Sequence, residues 1–362
     1  MNPEQGKKIL KLSETRVWRT YQGGVCIDAF HGRTTGENGN FPEDWVGSCT
    51  RATNPGREEI PEGLSRVENL PQMPLLAEIL EENPENYFGK KHLEVLGKHA
   101  GMLIKLIDAQ ERLTIQVHPD KKFAKEILHS DYGKTESWYI LDTFSVDGEV
   151  PSVYFGFKPH VTKDLWADLF HRQDIPAMLD SLHKIPVKAG DSFFIPGGLP
   201  HAIGSGCFLA EIQEPTDYTM RTELTTPSGL KIHETLCHQG VGVEKMLDCF
   251  HYDGLSLEET LEKWKISPVM KENSTRGVVE SFLDDRYTDL FSFQRITVQE
   301  NLELPMTMQL SVWIVTKGQG TIQTDWESCP CQKGEFLLLP ASIPSLHFQG
   351  NLELLQCLPK KL

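Results

Sequence analysis

Short apolar and alternating runs, rather than long helical stripes, dominate this chain. Met102, Leu103, Ile104, Leu106 and Ile107 form a nearly unbroken apolar run, the pattern of a strand covered on both faces. Just beyond it, Leu113, Ile115 and Val117 alternate with Thr114, Gln116 and His118. Residues two apart share one face of a strand, so Gln116 and His118 are expected to point the same way. The run Glu136–Leu141 alternates too, placing Glu136, Trp138 and Ile140 together. Ser192–Ile195 and Phe208–Gln213 read as further strands, and the chain is strand-rich from about Phe291 to Leu358. Residues 1–70 hold short β-like runs, Lys8–Leu12 and Gly24–Phe30, and a turn at 53–56. Helical spacing is local. It covers residues 74–99, residues 161–183 with a break near Pro176, a short stretch from Asp120 to Leu128, and residues 233–265, where Leu257, Leu261 and Trp264 stand at i, i+4 and i+7. The pattern predicts a mainly β protein with added helices.

An internal repeat organises the strands. Gly190-Asp191, Pro196 and Pro200-His201 recur with identical spacing as Gly334-Glu335, Pro340 and Pro344-Ser345. Upstream, Tyr139-Ile140-Leu141 matches Trp313-Ile314-Val315 loosely. Two similar β-barrels are the simplest account. The expected division is a catalytic barrel over 1–232 with helical insertions, a helical linker over 233–285, and a degenerate barrel over 286–362. The second barrel has Ser345 in place of His201 and no Gln-x-His pair upstream. It is expected to lack metal and to cover sheet edges of the first.

Gln116, His118, Glu136 and His201 supply the candidate chemistry. Two imidazoles and one carboxylate leave a divalent ion with open positions, the donor set of a catalytic site. The bland alternatives are satisfied structural histidines and a surface carboxylate. Glu136 shares a face with Trp138 and Ile140, where an unpaired charge is costly, and this favours a ligand role. Two His and a carboxylate also suit a non-haem iron oxygenase, and a sugar-binding protein without turnover is a third reading.

Composition narrows the picture. The chain has 362 residues, 39% hydrophobic and 24% charged, which predicts a packed fold rather than disorder. A net charge of −15 argues against nucleic acid as partner. The polar stretch from Met1 to Val17 has no apolar signal segment, and no apolar run reaches membrane-span length, so a cytoplasmic location is expected. The eight cysteines read as reduced thiols, and Cys329-x-Cys331 has the wrong spacing for a Cys-x-x-Cys motif.

Several motifs together resemble the type I mannose-6-phosphate isomerases, especially the shorter bacterial form. They are Leu103–Ala109, Gln116-Val117-His118-Pro119-Asp120, Gly133–Tyr139, Pro196-Gly197-Gly198-x-Pro200-His201-Ala202, and Glu211–Glu214 with Asp217 and Arg221. The resemblance spans roughly the whole chain. It implies cupin jelly-roll barrels plus helices. It also implies one Zn2+ per chain held by Gln116, His118, Glu136 and His201. Arg221 matches the family's catalytic arginine, Asp217 the nearby acid, and Lys134 a lysine lining the phosphosugar pocket. The implied reaction interconverts mannose 6-phosphate and fructose 6-phosphate through an enediol. The expected partner is a small phosphosugar, and the expected assembly a monomer or weak homo-oligomer. The proton carrier is Asp217 or Glu211, and Lys105 and Lys231 are further candidates for the phosphate. The family's early Trp-Gly-Gly stands here as Trp18-Arg19-Thr20-Tyr21-Gln22-Gly23-Gly24, and the usual pattern after Arg221 is missing. These departures leave the metal set intact and bear on which sugar is taken. The alternative readings are an isomerase of another sugar or sugar phosphate, or a non-catalytic bicupin.

Overall fold

The computed structural model describes residues 5–54 and 56–362. Pro55 of the expected turn and the first four residues of the polar N-terminus lie outside the described residues. Three antiparallel sheets carry the fold. The first has six strands in the order 16–17, 43–46, 103–109, 207–213, 136–143 and 192–195. The second has five, in the order 220–221, 116–117, 201–203, 152–157 and 182–186. These two face each other across an apolar core that includes Trp138, Ile140, Phe155, Phe193 and Leu209. The third, eight-stranded sheet is C-terminal, and its strands Phe291–Pro305 and Ser345–Pro359 pair along their whole length. Its own interior is filled by Trp313, Ile322, Phe348, Leu354 and their apolar neighbours. No helix among the described residues is long and apolar enough to cross a membrane.

The fully buried run Leu103–Ala109 now has its reason. Its inner face lines the space between the first two sheets. Its outer face joins a second core in which Ile104, Leu106, Tyr139 and Phe208 meet Phe282, Phe293, Val312 and Phe336 of the third sheet. The third sheet also recruits the start of the chain, since Leu10–Leu12 pairs with Phe336–Leu338.

The sequence repeat is reproduced bond for bond. Gly190 and Gly334 both adopt left-handed backbone, φ 90° and 89°, which favours glycine. Gly190 N donates to Ile140 O, and Gly334 N donates to Val315 O. Ile140 N and Val315 N donate in turn to Asp191 O and Glu335 O. Ile140 therefore corresponds to Val315, one residue away from the upstream match read from sequence. Trp138 becomes the counterpart of Trp313. Each indole donates two residues back, Trp138 to Glu136 at 2.9 Å and Trp313 to Ser311 at 2.8 Å. Ser311 thus occupies the position of Glu136, as Ser345 occupies that of His201.

Two local expectations change. Gly24–Phe30 was expected to be extended, but Val25–Phe30 is a helix. The Asp108 carboxylate accepts from Gly24 N and Cys26 N at 2.7 and 2.8 Å, satisfying donors at the helix start. Ile27 and Phe30, three apart, bury the inner face. In 233–285, helices Glu234–Cys237, Val243–Asp248 and Leu257–Trp264 are followed by strands Val269–Asn273 and Gly277–Leu283, which extend the third sheet. The helices in 161–183 are Lys163–Arg172 and Ile175–Asp180, with Pro176 in the first turn of the second.

Candidate metal centre and substrate pocket

Strand register brings the expected ligands together. His201, Gln116 and Arg221 lie opposite one another on three neighbouring strands. Directly opposed residues share a face, so all three point between the sheets. Glu136 approaches from the other sheet, opposite Gln213 and Ile195. Residues 116–117 make only a two-residue strand, yet His118 continues onto the same face and is buried.

His118, Glu136 and His201 form one cluster of metal-ligand types. His118 Nε2 lies 3.1 Å from Glu136 Oε2, His201 Nε2 lies 3.5 Å from Glu136 Oε1, and the two Nε2 atoms are 3.2 Å apart. Tetrahedral ligands bonded at about 2.0–2.2 Å would be spaced about 3.3–3.6 Å apart. The tautomers fit as well. His118 Nδ1 faces the carbonyl of Tyr218 at 2.9 Å, and His201 Nδ1 faces that of Leu199 at 2.8 Å. A carbonyl only accepts, so both Nδ1 atoms carry hydrogen and both Nε2 lone pairs converge. Burial and the nearby Lys134 ammonium push His118 well below its usual range, and burial lowers His201; both shifts favour the neutral ring. Two facing lone pairs and a buried carboxylate oxygen without a hydrogen-bond donor, Glu136 Oε2, call for a cation. The Lys134 ammonium partly answers, donating to His118 Nε2 at 2.8 Å and lying 3.3 Å from Glu136 Oε2. Gln116, in register with His201, lines the adjoining pocket. A second group of ligand types, Glu14, His31 and Asp44, is occupied by Arg16, Arg33 and the Thr15 amide.

The pocket is a cavity of about 260 Å³. Its wall carries Arg19, Glu43, Lys105, Arg112, Gln116, Lys134, Glu211, Asp217 and Arg221. Lys105 Nζ lies 3.2 Å from Glu211 Oε1 and 3.9 Å from Asp217 Oδ1. Burial raises the Glu211 carboxyl above its usual range, helped by Glu136. Burial pushes Glu43 upward too, but Arg19 and Lys105 prevail and hold it at about 2. Arg112 grips Glu223 through two bonds of 2.7 and 2.8 Å, and Glu223 also accepts from Ile115 N, fixing the approach to Gln116. Arg221 differs. It donates to the carbonyl of Thr219 at 3.3 Å and has no carboxylate at ion-pair distance among the described residues.

Arg221, Asp217, Lys134 and Lys105 therefore line the pocket with Gln116, and Lys134 links it to the cluster of His118, Glu136 and His201. Lys231 does not; it is exposed and bonded to Thr225 Oγ1 at 3.0 Å. Sequence reading missed Arg19, Glu43 and Arg112. The only available signal was the charged residue at 19 where the family pattern has glycine.

The turn at 196–200 ties the ligands to each other. Gly198 N donates to His118 O at 2.8 Å. A Cβ on Gly197 would meet Asp120 Cα at 2.5 Å and Asp120 N at 2.6 Å. Gly197→Ala is expected to force the turn away from 118–120. It should weaken metal affinity about ten- to a hundredfold and cost about 1–3 kcal/mol of stability. Chelator competition and denaturant unfolding measure both, and wild-type values in each would refute the close-packing argument.

Residues 58–139 match the family "Phosphomannose isomerase type I, catalytic domain", and residues 285–359 match "Mannose-6-phosphate isomerase, cupin domain". The first match contains Lys105, Gln116, His118, Lys134 and Glu136. A putative mannose-6-phosphate isomerase of Bacillus subtilis is 27% identical over 323 residues, covering 87% of this chain and 90% of the relative. A mannose-6-phosphate isomerase of Streptococcus mutans is 28% identical over 275 residues, covering 73% and 77%. The crystal structure of mannose 6-phosphate isomerase from Bacillus subtilis shares the fold, with a TM-score of 0.75 at 23% identity over 96% of this chain and 99% of that one. A putative mannosephosphate isomerase from Archaeoglobus fulgidus superposes with a TM-score of 0.73 at 18% identity over 98% of each chain.

Proposed function

We propose, from the premise that this chain is an aldose–ketose isomerase carrying the catalytic and cupin domains of the type I phosphomannose isomerases, that it interconverts mannose 6-phosphate and fructose 6-phosphate at a zinc site. The observation that carries the reading is the convergence of His118, Glu136 and His201 beside a pocket lined by Arg221, which has no ion-pair carboxylate among the described residues. Gln116, His118, Glu136 and His201 would hold the ion. When bound, a divalent ion supplies Lewis-acid polarisation of the sugar carbonyl, so that the neighbouring C–H becomes acidic.

The chain's own residues do the rest. The carbonyls of Leu199 and Tyr218 orient the two imidazoles. Arg221 faces the negative charge that grows on the enediol oxygen, and its fork stays charged throughout. Of the two candidate proton carriers, Glu211 is the better suited. Burial raises its affinity for a proton, and Lys105 beside it can exchange charge with it. Asp217 is bridged by Arg19 and is better suited to hold a sugar hydroxyl. Lys134 and Lys105 present ammonium groups to the substrate.

Charge balance favours a phosphate ester. Around the pocket, Arg19, Lys105, Arg112, Lys134 and Arg221 face Glu43, Glu136, Glu211, Asp217 and Glu223. The side chains cancel, so a divalent ion leaves a surplus that a phosphate dianion matches. In a coupled assay, purified protein is expected to convert mannose 6-phosphate, lose turnover with chelator, and regain it best with zinc. Metal-replete protein that leaves mannose 6-phosphate unchanged would overturn the substrate, and recovery with another ion alone would overturn zinc.

A further inference from the structure

Arg19 has the most fully engaged side chain of the pocket wall. Its Nε lies 3.0 Å from Glu43 Oε2. One terminal nitrogen donates to Asn54 Oδ1 at 3.0 Å and to the carbonyl of Trp18 at 3.4 Å. The other donates to both oxygens of Asp217, at 3.1 and 3.2 Å. All three nitrogens of the fork thus have a hydrogen-bond or ion-pair partner. The guanidinium also lies over the Trp45 ring, 5.2 Å from its centre. Each nitrogen is committed to a partner among the described residues, so the influence of Arg19 on the reaction is argued through the groups it holds.

Asp217 is the group that matters. It lines the cavity four residues before Arg221, and its Oδ2 also accepts from Thr53 N at 3.3 Å. Three distant segments, 18–21, 53–54 and 217–221, therefore meet at one carboxylate. Tyr21 strengthens the same wall by donating to Glu43 at 2.8 Å. Arg19 and Tyr21 both belong to the stretch where this chain departs from Trp-Gly-Gly. A carboxylate clamped on both oxygens is held in one orientation, and each oxygen keeps acceptor capacity for a hydroxyl. A fixed acceptor discriminates strongly, because a substrate lacking the matching hydroxyl leaves it desolvated and unpaired.

We propose that Arg19 is a positioning residue that holds Asp217 as a fixed acceptor for one sugar hydroxyl, and so helps set which sugar phosphate is taken. The inference rests on reading the chain as a sugar-phosphate isomerase. A double-mutant cycle tests it, with Arg19→Gln, Asp217→Asn and the pair assayed for kcat, KM, metal content and Tm, using mannose 6-phosphate and its single-deoxy analogues. Each single change is expected to lower kcat/KM about ten- to a hundredfold. The double should fall little further. Preference for the native sugar over one deoxy analogue should shrink in both singles alike. Arg19→Lys should recover little, since one ammonium cannot bridge the four groups that Arg19 meets; if Arg19→Gln does not fold, Arg19→Lys takes its place in the cycle. Additive losses, or a lowered Tm with unchanged kcat and KM, overturn the proposal while the isomerase reading stands. A wild-type protein inactive on mannose 6-phosphate in the same assay overturns both.

Discussion

His201→Ala is expected to strip the protein of its divalent ion and to stop turnover. Metal analysis after dialysis should fall from about one ion per chain to a small fraction, and kcat should drop about a thousandfold or more. The geometry explains the size of the effect. His201 is fully buried, its Nε2 lies 3.2 Å from that of His118, and its Nδ1 is committed to the Leu199 carbonyl. Removing it leaves one imidazole, one carboxylate and the weak amide donor of Gln116, too few strong protein donors for a tight site. No neighbouring side chain of ligand type completes the cluster among the described residues. In the repeat of the C-terminal sheet, Ser311 and Ser345 stand in the positions of Glu136 and His201. His201→Gln, which fills more of the space, separates loss of the ligand from collapse of a buried cavity. A His201→Ala protein that keeps both metal and activity would remove the metal centre from the account.

Arg221→Ala is expected to behave differently: metal stays bound while kcat falls about a hundred- to a thousandfold. Every other cation in the pocket wall has a carboxylate partner within ion-pair distance, whereas Arg221, among the described residues, has no carboxylate that close and donates to the carbonyl of Thr219. An unpaired guanidinium facing the cavity is free to take up negative charge as it develops. Burial already disfavours its charge, so an anion arriving in the pocket is welcomed strongly. Arg221→Lys should restore part of the rate, since it returns the charge without the fork. Unchanged kcat with a raised KM would instead make Arg221 a binder of the phosphate, present equally in ground and transition states.

The convergence of the candidate ligands was legible in sequence because its signals are local. Gln116 and His118 sit two apart, Glu136 alternates with Trp138, and His201 follows a turn marked by glycine and proline. The repeat was legible for the same reason, since Gly190 and Gly334 need the same left-handed backbone. Its upstream half was misregistered by one residue because Tyr139–Leu141 and Trp313–Val315 are uniform apolar strands without turn residues. The helix Val25–Phe30 was not legible. Its cap, Asp108, lies 84 residues from Gly24. Arg19 escaped in the same way, since Glu43, Asn54 and Asp217 are all distant in sequence. The strand Val269–Asn273 is exposed at nearly every position, so it shows none of the alternation that betrays a half-buried strand.

The pairing of Leu10–Leu12 with Phe336–Leu338 has a consequence for how the molecule is made. On the ribosome, Leu10–Leu12 waits for a partner made far later in the chain. Until residues 336–338 are made, it presents an open edge carrying leucines, the kind of surface that seeds aggregation. An early and a late segment are thus sewn into one body, and a fragment ending before residue 336 cannot close that seam.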